Sequence, residues 1–333
     1  MTDMTTDTPA TPEHETDLDT ALPSTKNLLT LGGRCFFKNA IVYKLPADFE
    51  ISVAELESYL IANQLTACGP LEKERIGWVN SSPLGRTVHA VSGQYLIALG
   101  EHKKLLPASM VHEEVVRRLA VLADEQGFPV GRKQKREIKA QVKTELLAKA
   151  PVRTTATRAW IDTVNQWMVV ETSGSARAER VVDALRDALG TFAVTLIEAD
   201  PSPQTAMASW LNDSAAPEGF SFDTDLELKS SDKATIRYTN HPLDGEDIKK
   251  HLQEGKFVNR LGLTWDDRVS FILTSNLELK RIKYLELEAG KEEQDSEQAP
   301  SAEEIFDADL TLMSSELSDM LAALCAAFEI KND

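Results

Sequence analysis

The chain is short of the features that mark several large functional classes. No stretch of its 333 residues approaches about 18 uninterrupted apolar positions, the run a membrane-spanning helix requires. The first thirty residues are rich in Thr, Asp and Glu and lack the basic start and apolar stretch of an export signal. Neither a membrane span nor export is therefore expected. Cysteines number three, Cys35, Cys68 and Cys325, an odd count without a CxxC pair. That spacing disfavours a disulfide framework and a zinc site and fits a reducing cytoplasm. No GxGxxG opens a helix after a strand, and GxxxxGK[ST] is missing, so glycine-loop nucleotide binding and ATP hydrolysis are not indicated. His112-Glu113-Glu114 begins like a zinc-protease helix, but Val116 and Arg117 fill the region where the second His is needed. No metal and no cofactor is expected. Cys68, beside Gly69-Pro70 and far from any His, reads as a packed or turn thiol, and the five tryptophans sit in apolar surroundings that read as core.

What is present is acid, unevenly spread. The net charge is −17, from 53 acidic and 36 basic residues, a balance that ordinarily repels polyanions. Residues 1–34 hold six acids against Lys26 and Arg34, and residues 284–333 hold fourteen against Lys291 and Lys331. The remainder is nearly neutral. Inside it, residues 131–160 carry Arg132, Lys133, Lys135, Arg136, Lys139, Lys143, Lys149, Arg153 and Arg158 against Glu137 and Glu145 only.

Hydrophobic periodicity gives an α+β chain of layered sheet-and-helix modules. Residues 1–34 form an acidic, Thr-rich extension without periodicity, expected to be disordered. A first αβ module covers 35–125. It has a strand at Phe37–Tyr43, a helix opened by Ser52 with Glu55, a hairpin around Ser92-Gly93, and a helix from Ala108 to Glu125. A basic helical segment follows over 126–158. A second αβ module over 159–200 combines a hairpin from Trp160 with a helix between Ser175 and Gly190. A strand-rich region spans 204–288, an acidic linker 289–304, and a C-terminal strand and helix 305–333, with Asp307-Ala308-Asp309 on the strand and the helix from Ser315.

Two groups of residues carry candidate chemistry. Arg132, Arg136, Lys139 and Lys143 fall at i, i+4, i+7 and i+11, one helix face, beside an apolar stripe of Ile138, Val142 and Leu146. One reading is a cation row that tracks a phosphate backbone without reading bases; the other is a solvated face neutralised by the chain's own acids. Glu227-Leu228-Lys229 and Glu278-Leu279-Lys280 have the Glu-x-Lys form of some metal-dependent nucleases, with Asp223 as a second ligand, a pattern that an alternating surface strand also yields. The terminal helix has Leu317, Met320, Leu321, Leu324 and Phe328 at helical spacing. Its apolar face is either core or a dimer contact, with Leu317, Leu321 and Leu324 as interface candidates. In a third reading, a protein-binding scaffold, the acidic linker and this helix are the operative parts.

Several stretches then meet a known pattern in order: Phe37-Lys38-Asn39 with Val42-Tyr43, Gly77-Trp78-Val79, Lys104-Leu105-Leu106-Pro107, Trp160-Ile161-Asp162-Thr163-Val164-Asn165, Gly219-Phe220 with Glu227-Leu228-Lys229, Glu254-Gly255-Lys256 with Leu263-Thr264-Trp265, Leu279-Lys280-Arg281, and Phe306-Asp307-Ala308-Asp309. From Phe37 to about Leu321 the chain resembles the bacterial recombination-associated RdgC family. The resemblance implies an α+β protein without catalytic activity, a ring-shaped homodimer that encircles double-stranded DNA, with single strands as a further ligand, and restrains the RecA recombinase. It implies a cytoplasmic, nucleoid-associated location. Carried onto this sequence, the basic segment from Arg132 to Lys149, with Arg153 and Arg158, would line the hole or flank the closing contact near Pro151. The turn after Ile236-Arg237, with Asn240 and His241, would be a finger near the DNA. The chain departs from the family pattern in residues 1–34, at Pro151, where the pattern has a bulky apolar residue, and at Asn240-His241, where it has Lys-Gln.

Overall fold

A computed structural model describes residues 34–285 and 301–330. Its first half contains β1 (Asn39–Lys44), α1 (Val53–Ala62), β2 (Glu74–Val79), β3 (His89–Val91), β4 (Gln94–Lys104), α2 (Ala108–Gln126), α3 (Arg132–Lys149), β5 (Val152–Asp162), β6 (Trp167–Val170), α4 (Ser175–Leu189) and β7 (Thr195–Leu196). Its second half contains α5 (Pro203–Asp213), β8 (Phe220–Lys229), β9 (Thr235–Tyr238), α6 (Glu246–Gln253), β10 (Phe257–Trp265), β11 (Val269–Thr274), β12 (Leu279–Tyr284) and α7 (Ala302–Ala327). The strands make one antiparallel sheet in the order β2-β4-β5-β6-β1-β12-β11-β10-β8-β9, with β3 on β4 and β7 on β1. The α+β expectation holds. β1 joins the two halves: Asn39 and Ala40 pair with β12, and Ile41 to Lys44 pair with β6.

Strand alternation explains the layers. On β4 and β5, Ile97, Leu99, Ala159 and Ile161 face one core, shared with Leu56 and Leu60 of α1 and with Val181, Val182 and Leu185 of α4. Leu96 and Trp160 face the opposite core, shared with α5, α6, α7 and the second half of the sheet. The hairpin motif from Trp160 to Asn165 is structural. Asp162, fully buried, accepts the backbone N–H of Val164 and of Asn165, both at 2.9 Å, and the side-chain amide of Gln94 at 3.1 Å. Four tryptophans are buried, and Trp210 packs against the second core.

Helix α7 corrects two expectations. It begins at Ala302, so Asp307 and Asp309 belong to its first turns and not to a strand. Ser301 accepts the N–H of Glu304, whose carboxylate takes the Ser301 N–H in return, which is why the helix starts there. Leu317, Leu321 and Leu324 lie in the chain's own core and present no surface to a second copy. Among the described residues α7 alone has the length and apolarity of a membrane span, and twelve of its side chains are buried inside the fold. The extension at 1–33 and most of the acidic linker, 289–300, lie outside the described residues.

Candidate nucleic-acid interface

The β4–β5 ladder runs for eleven residue pairs, from Gln94↔Asp162 to Lys104↔Val152. Where a β-hairpin would turn, the chain instead makes an antiparallel pair of helices. α2 stops at Gly127, whose φ of +73° a residue with a Cβ rarely adopts, and Phe128-Pro129-Val130 leads into α3. The pair has a small core of its own: Val142 of α3 is fully buried against Val111 and Val115 of α2, with Leu119, Ile138 and Leu146 around them. The expected apolar stripe thus docks on α2. Arg118 ties the helices by donating to both Glu145 oxygens, at 2.5 and 3.2 Å, and to Glu114 at 2.6 Å. Hydrogen bonds from Arg117 and Arg118 hold the Glu114 carboxyl down at about 2. At the root, the Lys104 ammonium donates to the carbonyls of Pro70 and Leu147, and the exposed Pro151 accepts the Leu105 N–H at 2.9 Å.

This docking leaves the basic face outward. Arg132, Lys133, Lys135, Arg136, Lys139, Lys143 and Lys149 are all exposed, and among the described residues none forms an ion pair. Arg153 is exposed at the start of β5, also without a carboxylate partner. Within the described residues the neutralised-face reading finds only the pull of Lys149 on Glu145; the acidic segments at 1–33 and 286–300 that it invokes lie outside them.

Arg158 is a correction. It is 7% exposed on the α7 side of β5, its Nε donates to Glu171 at 2.7 Å, its Nη1 donates to the Arg34 carbonyl at 3.1 Å, and it lies 5.5 Å from the Phe37 ring. A cation so enclosed cannot meet a phosphate; it neutralises Glu171 inside the fold, where either charge left alone would be costly. Burial pushes the neighbouring Cys35 thiol up to about 12, against the opposing pull of Arg158.

The finger residues are spread over a sheet edge. Arg237 on β9 has a side chain 70% exposed and donates through Nε to Glu227 at 2.7 Å. Asn240 and His241 are exposed, but the His241 N–H donates to Thr224 at 3.1 Å, so the loop is pinned to β8 and does not project freely. Glu227 itself is 4% exposed. A bulge at Asn259 sets two β10 residues opposite it: Asn259 donates to its carboxylate at 2.5 Å and Arg260 stands 4.0 Å away, with Lys229 at 3.7 Å. Burial would raise its pKa; the hydrogen bonds from Arg237 and Asn259 outweigh that and lower it. Glu278 pairs with Lys280 at 2.8 Å. Among the described residues no group of three or more His, Cys, Asp or Glu is placed to hold a metal ion, so the two Glu-x-Lys segments gain no support as a nuclease site.

Sequence reading missed a further cluster. Lys103 and Arg153, directly opposite on β4 and β5, share a groove with Arg177 and Arg180 of α4. Single-residue patterns gave no signal for it, because its members come from three elements.

Residues 35–331 match a protein-family model described as "Putative exonuclease, RdgC". The chain belongs to the RdgC family. Similar proteins named "Recombination-associated protein RdgC" include one from Dechloromonas aromatica (strain RCB), 39% identical over 297 residues, which span 88% of this chain and 97% of that protein. Another, from Janthinobacterium sp. (strain Marseille), is 40% identical over 294 residues, 88% of this chain and 97% of the relative. A third, from Bordetella parapertussis, is 38% identical over 291 residues, 87% and 96%. The family model's description mentions an exonuclease, whereas the names of these RdgC relatives carry recombination and no catalytic activity.

Proposed function

We propose that this chain binds duplex DNA through its phosphates, without reading base sequence and without cutting it, and that it does so as a ring-shaped homodimer that restrains RecA in recombination. The observation that carries the DNA reading is the α3 row: seven exposed cations with no ion-pair partner in the described chain, held on a helical pair beyond the end of a β-ladder. A row without ion pairs among the described residues, in a chain of net charge −17, concentrates attraction for a polyanion in one place while the acidic remainder repels it. Contacts of Lys and Arg to phosphate position a protein on the duplex without carrying sequence information. The recombination role follows the names of the relatives. The ring, the RecA restraint and a cytoplasmic, nucleoid-associated location follow the family resemblance, and with the α7 leucines buried, Pro151 at the root of the helical pair is the remaining candidate for a closing contact.

If about six cations touch phosphate, log K against log salt should have a slope near −5. Reversing Arg132, Arg136, Lys139 and Lys143 to Glu should flatten it to about −2, equally for unrelated sequences. A duplex isotherm over a salt series checks this, and an unchanged slope in the reversed protein removes α3 from the interface.

A further inference from the structure

We infer that the groove between the outer end of the β4–β5 ladder and the first turn of α4 is a second phosphate-binding site, which grips a backbone phosphate of the DNA separately from the α3 row. The groove encloses roughly 400 Å³, within the size range of sites that hold small ligands or parts of larger ones. Four cations line it, Lys103, Arg153, Arg177 and Arg180, against a single lining carboxylate, Glu101.

The arrangement works against local stability. Lys103 and Arg153 are direct cross-strand neighbours on one face, where like charges repel, and Arg177 and Arg180 reach the same space from α4. Glu74 on β2 relieves Lys103 at 3.8 Å, and Glu101 holds Arg180 at 3.1 Å. Arg153 and Arg177 have no ion pair among the described residues. Local rules are broken in this way chiefly where a ligand compensates, and a concave set of guanidinium groups suits phosphoryl oxygens, which accept from the planar fork in pairs. Glu101 fixes Arg180, so one guanidinium is oriented before any ligand arrives.

The inference rests on the DNA-binding reading and adds a site to it. Arg153→Ala with Arg177→Ala should reduce the salt slope by about 1, the share of one phosphate, and weaken duplex binding about fourfold at 0.2 M salt. Both side chains are exposed, and relief of the Lys103–Arg153 repulsion should put thermal unfolding at or slightly above the parental temperature. Arg186→Ala, on the same helix and outside the groove, should stay within about twofold, since a distant exposed charge is screened. Equal loss in the Arg186 variant would reduce the effect to general charge and overturn the site. So would parental affinity in the double variant while the α3 reversal weakens binding, an outcome that leaves the DNA reading standing. Loss of neither would sink both. Adenosine monophosphate, titrated by calorimetry, separates the two sources of phosphate: micromolar binding that Arg177→Ala abolishes, with duplex affinity intact, would assign the groove to a free nucleotide instead.

Discussion

Replacing Arg158 tests whether a cation at this position serves the fold or the ligand. In Arg158→Ala the Glu171 carboxylate loses its 2.7 Å partner while its side chain remains 17% exposed. The Arg34 carbonyl loses a donor and Phe37 loses the guanidinium beside it. Breaking a buried ion pair from one side costs about 3–5 kcal/mol. Partial water access to Glu171 places this case near the lower end, about 3 kcal/mol. With an m-value of about 3 kcal/mol/M, the urea midpoint should fall by about 1 M. The double change Arg158→Met with Glu171→Leu removes the stranded charge and should recover most of that loss. Duplex affinity and its salt slope, measured on the folded fraction at low temperature, should match the parent in both variants. A midpoint shift below about 0.3 M together with a shallower salt slope would refute the reasoning and return Arg158 to the interface.

Three further outcomes are expected. Gly77→Ala would put a methyl 2.5 Å from the Leu65 backbone nitrogen, where the main chain cannot give way, and should destabilise by about 3 kcal/mol; Gly174→Ala, with open space around it but at the N-cap of α4, should cost no more than about 1 kcal/mol, and equal effects would show the contact to be unimportant. Glu227 has a lowered pKa in the fold, so its contribution is present above the unfolded value of about 4.3 and is lost as pH falls through the folded value; the midpoint gap between parent and Glu227→Gln should narrow below about pH 4.3, and a gap constant from neutral to acid pH would contradict the sign. If the homodimer encloses duplex, closed circular DNA should survive a high-salt wash better than the same DNA cut once, and light scattering should give twice the chain mass; equal loss of both forms or a monomer would end the ring.

The helices and hairpins of the first half were legible because each announces itself locally: Ser52 before α1, Ser92-Gly93 between β3 and β4, Gly190 after α4. The α3 cation face was legible for the same reason, since helical spacing alone decides which side chains share a face. Charge is visible in sequence and burial is not, so Arg158 reads as a phosphate ligand; its place on the α7 side of β5, with Glu171 in reach, makes it core. Asp307 and Asp309 interrupt the apolar pattern, so the sequence starts α7 too late; in the fold His89 at 2.7 Å and Arg34 at 4.0 Å receive these carboxylates. The α4 arginines escaped notice because only pairing of β4 with β5 brings Lys103 and Arg153 to them.

The junction at β1 bears on how the chain can be made. Asn39 accepts from the Arg281 N–H, 242 positions away, and its strand pairs with β12 on the far side of the sheet's midline. At roughly 5–20 residues per second, translation leaves that part of β1 without its neighbour for about 12–48 s. During this interval the helical pair α2–α3, built on contacts between adjacent segments, can form alone, whereas the sheet's centre stays an open edge. Sheet completion is thereby a late event on the ribosome, and a nascent chain stalled before β12 exposes an adhesive strand edge at its middle.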